Sequence, residues 1–122
     1  MTIARSTILV VEDESLIRMS AVDLTISAGF RAVEAKNADE AIGILEARHD
    51  IHLVFTDVDM PGSMDGLKLC HHIRDRWPPV KLLVASGKTV VAESQLPDGA
   101  MFFSKPYSNT SIVEAMTRLL AA

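Results

Sequence analysis

With 122 residues, 48% of them hydrophobic, the chain has the length of one domain and the apolar material for one core, which leaves no room for a second. A formal charge of -4 with no basic run argues against a nucleic-acid surface and for protein or small-ligand partners. The lone Cys70 suits a reducing compartment, the opening Met1 to Ser6 precedes too short an apolar run for a secretory leader, and no stretch approaches the roughly 20 apolar residues of a membrane helix, so a soluble cytoplasmic domain is expected.

In chain order, Ile8 to Val11 is a β-branched and aliphatic run that stops at Glu12-Asp13-Glu14, the pattern of a strand buried on both faces with acids at its carboxyl end. Ser15 to Ala28 turns helical, with Ile17, Ala21, Leu24 and Ala28 on one face and Gly29 as the stop. Arg31 to Ala35 reads as a second strand. Asn37 followed by Glu40 has the form of a capping box, opening a helix that turns Ala41, Ile42 and Leu45 inward. A third strand, Leu53 to Thr56, ends at Asp57 and passes through a Pro- and Gly-containing loop into a helix from about Leu67 to Arg76, which buries Leu69, Cys70, Ile73 and Trp77. Pro78-Pro79 ends that helix because neither residue donates a backbone hydrogen bond. Lys81 to Ala85 is a fourth strand ending at Ser86-Gly87. Val90, Val91, Ala92 and Leu96 offer one or two helical turns before Pro97-Asp98-Gly99. Met101 to Ser104 is a fifth strand, broken by Lys105-Pro106, and Ile112, Val113, Met116, Leu119 and Leu120 mark the inner face of a last helix. Strands alternating with helical segments predict an α/β fold: a doubly wound, five-stranded parallel sheet with helices on both faces.

In such a sheet ligands bind beyond the carboxyl ends of the strands. Those ends carry Glu12 and Asp13, Asp57, Ser86 and Lys105. Carboxylates crowded into a partly dry cleft repel one another and are neutralised by protons or by a cation. A hard divalent ion such as Mg²⁺ takes oxygen ligands, and is typically held by one or two carboxylates while it bridges to a phosphate. Lys105 adds a compact positive charge and Ser86 a hydroxyl, both suited to a phosphoryl group.

These residues resemble the receiver domains of two-component response regulators. The matching pieces are Val11-Glu12-Asp13-Glu14, Asp57-Val58-Asp59-Met60-Pro61, Met64-Asp65-Gly66, Ala85-Ser86-Gly87 and Lys105-Pro106, in family order over essentially the whole chain. The resemblance implies the flavodoxin-like strand order 2-1-3-4-5, which the family's chemotaxis member has. It implies that Asp57 is the phosphoacceptor, attacking the phosphorus of a phosphohistidine on a histidine kinase. Asp13 and Asp57 become direct Mg²⁺ ligands, joined by the backbone carbonyl of Asp59, with Glu12 acting through a bound water. Lys105 binds a phosphoryl oxygen. Ser86 moves to the phosphoryl group after transfer, and Phe102, at the switch-aromatic position, turns inward as Ser86 is drawn over. A cis Lys105-Pro106 bond helps to aim the lysine. The expected protein is a stand-alone receiver, residues 1–122, that is no enzyme beyond catalysing its own phosphorylation and dephosphorylation. It passes its signal to a downstream protein target as a monomer or weak dimer, without nucleic acid or membrane.

Several features depart from the family's usual pattern. The loop from Asp59 to Gly66 has one residue more than the commonest form, and the segment from Ser86 to Lys105 is about three residues short, which predicts a shortened fourth helix. Phe102 lacks the hydroxyl of the commoner tyrosine. Asp59 and Lys88, each two residues past a site residue, are expected to form an ion pair screening the site. His49, His52, His71 and His72 read as ordinary surface residues and Cys70 as core. Three other functions compete: a shuttle, or a receiver excised from a hybrid histidine kinase, passing phosphate to a phosphotransfer protein; a flavodoxin-like redox protein, disfavoured because Glu12-Asp13-Glu14 stands where a flavin phosphate wants Ser, Thr or Gly donors; and a degenerate receiver serving only as a scaffold, disfavoured by the intact acid, hydroxyl and lysine set.

Overall fold

A computed structural model describes residues 5–62, 64–88 and 91–121. The five strands are β1 (Thr7–Val11), β2 (Arg31–Ala35), β3 (Ile51–Asp57), β4 (Lys81–Ser86) and β5 (Met101–Ser104). All pairings are parallel, in the order β2-β1-β3-β4-β5. The expected sheet and strand order are present.

Alternation along the strands divides the core into two layers, as the period of a strand requires. On one face Leu9, Val11, Val54, Leu82 and Val84 meet α2 (Ala38–Ala47) and α3 (Gly66–Arg76) through Ala41, Leu45, Leu69, Cys70 and Ile73. On the other, Ile8, Val10, Leu53, Phe55, Leu83 and Ala85 meet α1 (Ser15–Ser27) and α4 (Asn109–Ala121) through Ala21, Ile112, Met116 and Leu119. Fully burying one such aliphatic side chain contributes about 1.5–3 kcal/mol, so the two layers hold the sheet rigidly beneath its loops.

Differences from the expected elements have local causes. β3 begins two residues early, at Ile51, because the β1–β3 register shifts between Thr7 and Ile8. There the His52 ring stands in for a backbone acceptor, its Nδ1 taking the Thr7 N–H at 3.0 Å. On α1 the inward face is narrower than its pattern: Ile17 is solvent-exposed, while Thr25 is buried with its hydroxyl donating to the Ala21 carbonyl at 2.8 Å. Asn37 caps α2 by accepting the Glu40 N–H at 2.8 Å, but the Glu40 carboxylate reaches one residue further back, to the Lys36 N–H. The expected fourth helical segment is reduced to a single 3-10 turn, Glu93–Gln95, among the described residues; Val90 lies outside them. Among the described residues four α-helices therefore cover the sheet, and none is long and apolar enough to cross a membrane.

Candidate functional site

Backbone bonds continue past the ends of the strands and fix the residues that follow them. Glu12 N–H donates to Ala35 O at 3.1 Å, Val58 N–H to Ala85 O at 2.9 Å and Lys105 N–H to Ser86 O at 2.9 Å. Three of the sequence-predicted site positions thus sit on, or beside, backbone still tied to a neighbouring strand. Because Val11 pairs with Thr56, the next residues, Glu12 and Asp57, lie side by side. The level of Asp57 continues through Ala85 to Phe103, so Lys105 stands two residues beyond and its flexible stem reaches back. The Lys105-Pro106 peptide is cis, as expected.

At the centre the Lys105 ammonium lies 3.2 Å from Glu12 Oε1 and 3.4 Å from Asp57 Oδ2. Glu12 and Asp57 are buried and Asp13 is exposed. One carboxylate oxygen from each of the three lies within 4.8 Å of the others. Burial pushes the Asp57 carboxyl above its ordinary value despite the opposing pull of Lys105. Glu12 is raised as well, by burial and then by its contact with Asp13. Burial draws Lys105 downward, but the Asp57 and Glu12 carboxylates outweigh it, so the ammonium is held charged. One cation among three carboxylates leaves an excess of negative charge. An all-oxygen donor set with that excess fits a hard divalent ion such as Mg²⁺.

Asp59 takes a different place from its three acidic neighbours. Its backbone N–H donates to Asp57 Oδ1 at 3.3 Å, while its carboxylate accepts the Ser86 hydroxyl at 2.7 Å and the Lys88 N–H at 3.2 Å. The link between Asp59 and Lys88 therefore runs through the lysine backbone amide rather than through the expected ammonium–carboxylate pair. Ser86 is buried at the end of β4, and Phe102 is half-buried against the layer containing Val84.

Four contributors were missed in the sequence. Arg18 donates from Nη1 to the Glu12 carbonyl at 2.8 Å and pairs with Glu34 at 2.9 Å, steadying the acidic corner from α1. The Glu14 N–H donates to Glu12 Oε2 at 3.2 Å. Tyr107, two residues after Lys105, packs on Phe55 with ring centroids 6.0 Å apart and lines the cavity beneath Asp57. Gly66, visible in the sequence only as part of a motif, has a physical duty: its N–H donates to Val58 O at 3.1 Å, and a Cβ would overlap the Asp57 carbonyl. A tyrosine at a two-residue spacing from the lysine, and a glycine where Asp65 caps α3 through the Lys68 N–H at 2.9 Å, were the available signals. In the longer loop Gly62 turns the chain at φ +112°, a conformation other residues avoid; Ser63 is outside the described residues.

The remaining candidates play structural parts. Burial pushes the Cys70 thiol up to about 12, which leaves it an inert core group. No histidine belongs to a metal-ligating cluster among the described residues.

Residues 8–117 match the response regulator receiver domain family. The chain belongs to that family. It is 34% identical over 114 residues to the response regulator protein FleR of Pseudomonas aeruginosa, covering 91% of this chain and 24% of that protein. It is 34% identical over 119 residues to the sensor kinase CckA of Brucella abortus, covering 94% of this chain and 12% of that one. The chain thus spans a quarter or less of these relatives' lengths. A response regulator receiver protein from Pseudomonas putida superimposes with a TM-score of 0.84 at 30% identity, over 96% of this chain and 99% of that one. Receiver domains are signalling phosphoacceptors: phosphoryl transfer to an aspartate and Mg²⁺ binding in an acidic pocket are general among them, as are histidine kinases and downstream effectors as partners.

Proposed function

We propose that Asp57 is the phosphoacceptor of this receiver, loaded from the phosphohistidine of a histidine kinase, and that its phosphorylation switches protein–protein contacts. The supporting observation is a buried carboxylate placed 3.4 Å from the Lys105 ammonium and beside the carboxylates of Glu12 and Asp13. In the transfer an Asp57 oxygen attacks phosphorus; the O–P bond forms as the N–P bond breaks, and the imidazole keeps the electron pair and takes up a proton. Lys105 faces the charge that spreads over the phosphoryl oxygens in a loose transition state. Asp13 and Asp57 would hold Mg²⁺ directly, with the Asp59 backbone carbonyl beside them and Glu12 acting through water. When bound, the ion neutralises carboxylate and phosphoryl charge that Lys105 alone leaves unbalanced. Phosphorylation adds close to two negative charges at this strand end. The Ser86 hydroxyl is then drawn to the phosphoryl group and Phe102 follows it inward, which is the two-state element that a partner reads.

Intact-mass measurement after incubation with Mg²⁺ and a small-molecule phosphodonor tests the assignment. Wild-type protein gains one phosphoryl group; Asp57→Asn, and wild type stripped of metal, gain none. A phosphoryl group on the Asp57→Asn variant would place the acceptor elsewhere.

The likeness to a sensor kinase favours a second reading, a receiver that relays phosphate onward. Incubating phosphorylated protein with histidine phosphotransfer proteins separates the two: rapid loss of label to such a partner supports the relay, and label that stays on Asp57 supports a receiver read by contact alone.

A further inference from the structure

Asp59 engages two hydrogen-bond donors at the end of β4. Its Oδ2 accepts hydrogen bonds from the Ser86 hydroxyl at 2.7 Å and from the Lys88 backbone N–H at 3.2 Å. Hydroxyl and amide, two residues apart at the end of β4, together form a small receptor for an anionic oxygen, and in this structure an internal carboxylate fills it. The same residue is tied to the acceptor, since the Asp59 N–H donates to Asp57 Oδ1 at 3.3 Å. Asp59 therefore sits between Asp57 and Ser86 and engages both.

We propose that Asp59 is a positioning residue that competes with the phosphoryl group on Asp57 for the Ser86 hydroxyl and the Lys88 amide, and so sets how strongly phosphorylation drives the switch. The proposal rests on Asp57 being the acceptor. A hydroxyl can donate only one proton, so the bond to Asp59 must break before the bond to a phosphoryl oxygen forms. Both bonds are charge-assisted and of comparable strength, which makes the exchange nearly balanced. A carboxylate here holds the hydroxyl more firmly than a neutral acceptor, because hydrogen bonds to charged groups are the stronger ones. The chain thereby biases itself toward the unswitched arrangement and asks more of the phosphoryl group than an uncharged residue at position 59 would.

Removing the carboxylate also removes plain repulsion of an incoming anion, and the test has to separate the two effects. The probe is beryllofluoride with Mg²⁺, which mimics a phosphoryl group on a carboxylate, and its affinity is measured by titration of wild type, Asp59→Ala, Asp59→Asn, Ser86→Ala and the double variant Asp59→Ala with Ser86→Ala. Competition predicts that Asp59→Ala tightens binding about tenfold, with Asp59→Asn between it and wild type. In the Ser86→Ala background the gain shrinks to about threefold or less, because no hydroxyl remains to be contested. Equal gains in both backgrounds would mean repulsion alone and overturn the proposal, as would no gain in either. Should wild type itself fail to bind beryllofluoride while still binding Mg²⁺, the phosphoacceptor assignment falls first and the competition with it. Asp59→Asn preserves the size of the side chain and keeps the ordering interpretable if the alanine variant folds poorly.

Discussion

The loops leaving β3 and β4 begin beside each other in the sheet and are held in opposite ways. After Asp57 the chain is bound to its own framework: Val58 N–H reaches Ala85 O, Met60 and Gly66 N–H both reach Val58 O, and the Asp65 side chain caps α3. After Lys88 the hydrogen bonds described that tie residues 91–100 to the rest of the fold come from α3 side chains, beside the packing of Val91, Leu96 and Ala100 on the core. Arg74 donates from Nη2 to Asp98 O at 3.1 Å, and His71 Nε2 lies 2.7 Å from Gln95 O. Backbone fixed by a buried ladder opens only with the whole domain, whereas a segment outside the ladders, held by a few side-chain hydrogen bonds, opens locally at lower free energy. The acceptor is thus built on the rigid side, and the Ser86 hydroxyl ends the strand that precedes the more loosely tied residues 91–100.

The strongest way to break this contrast is to disturb the rigid loop where it has no space. Gly66→Ala forces a Cβ into the Asp57 carbonyl, with Asp57 C and Val58 Cα each only 2.8 Å away. Backbone cannot step aside as a flexible side chain can, so a loss of about 3 kcal/mol or more is expected in urea unfolding, together with weaker Mg²⁺ binding. A loss below about 1 kcal/mol would show that this loop also yields.

Next comes the principal tether of the second loop. Arg74→Ala removes donors from the carbonyls of Pro78 and Asp98 and should lower stability by about 1–3 kcal/mol. Faster amide exchange should be confined to residues 95–100. Exchange that rises equally in β3 would mean that the two loops open together.

How far these two regions could be read from the chain differs for the same reason. The β3 loop was legible because strand burial and the stop at Asp57 are local signals, and the strand ends bring Glu12, Asp13, Asp57 and Lys105 to one edge. The segment after β4 was not, since its conformation depends on contacts 24 residues away, from His71 to Gln95 and from Arg74 to Asp98. Apolar residues at 90, 91, 92 and 96 therefore suggested helical turns where, among the described residues, only one 3-10 turn forms. The partner of the Ser86 hydroxyl was equally invisible, because Asp59 reaches it across 27 residues.

Acidity tests the rigid side from another direction. Glu12 and Asp57 are both raised by burial, so the folded protein takes up protons at higher pH than the unfolded chain does. Their contribution is fully present below the ordinary carboxylate values of 4.5 and 3.8 and is lost as pH rises through the raised folded values. Asp50, lowered by its bond to Arg48, runs the opposite way and is unaffected by changes at the site. Subtracting the metal-free stability curve of Asp57→Asn from that of wild type should leave a difference that favours wild type increasingly as pH falls into the acidic range. Adding Mg²⁺ should reverse this slope, because the ion binds the ionised carboxylates and protons displace it. A difference curve independent of pH would remove the electrostatic crowding inferred for this site.

The smallest effect is expected at His71, and it bears most directly on the contrast. A carbonyl oxygen only accepts, so the 2.7 Å contact requires the ring to carry its proton on Nε2 and donate to Gln95 O. The side chain is exposed, and water can replace either partner, so His71→Ala should reduce global stability by less than about 1 kcal/mol. Local opening is a different quantity: exchange of the amides around Gln95 should rise several-fold while those of β3 and β4 stay unchanged, since only one tether of a segment outside the ladders has been cut. Paired with Asp59→Ala, the variant also asks whether the segment's anchorage and the hydroxyl's partner act independently. Additive effects on beryllofluoride affinity would mean that they do, and a coupling of about 0.5 kcal/mol or more would mean that freeing the segment already frees Ser86.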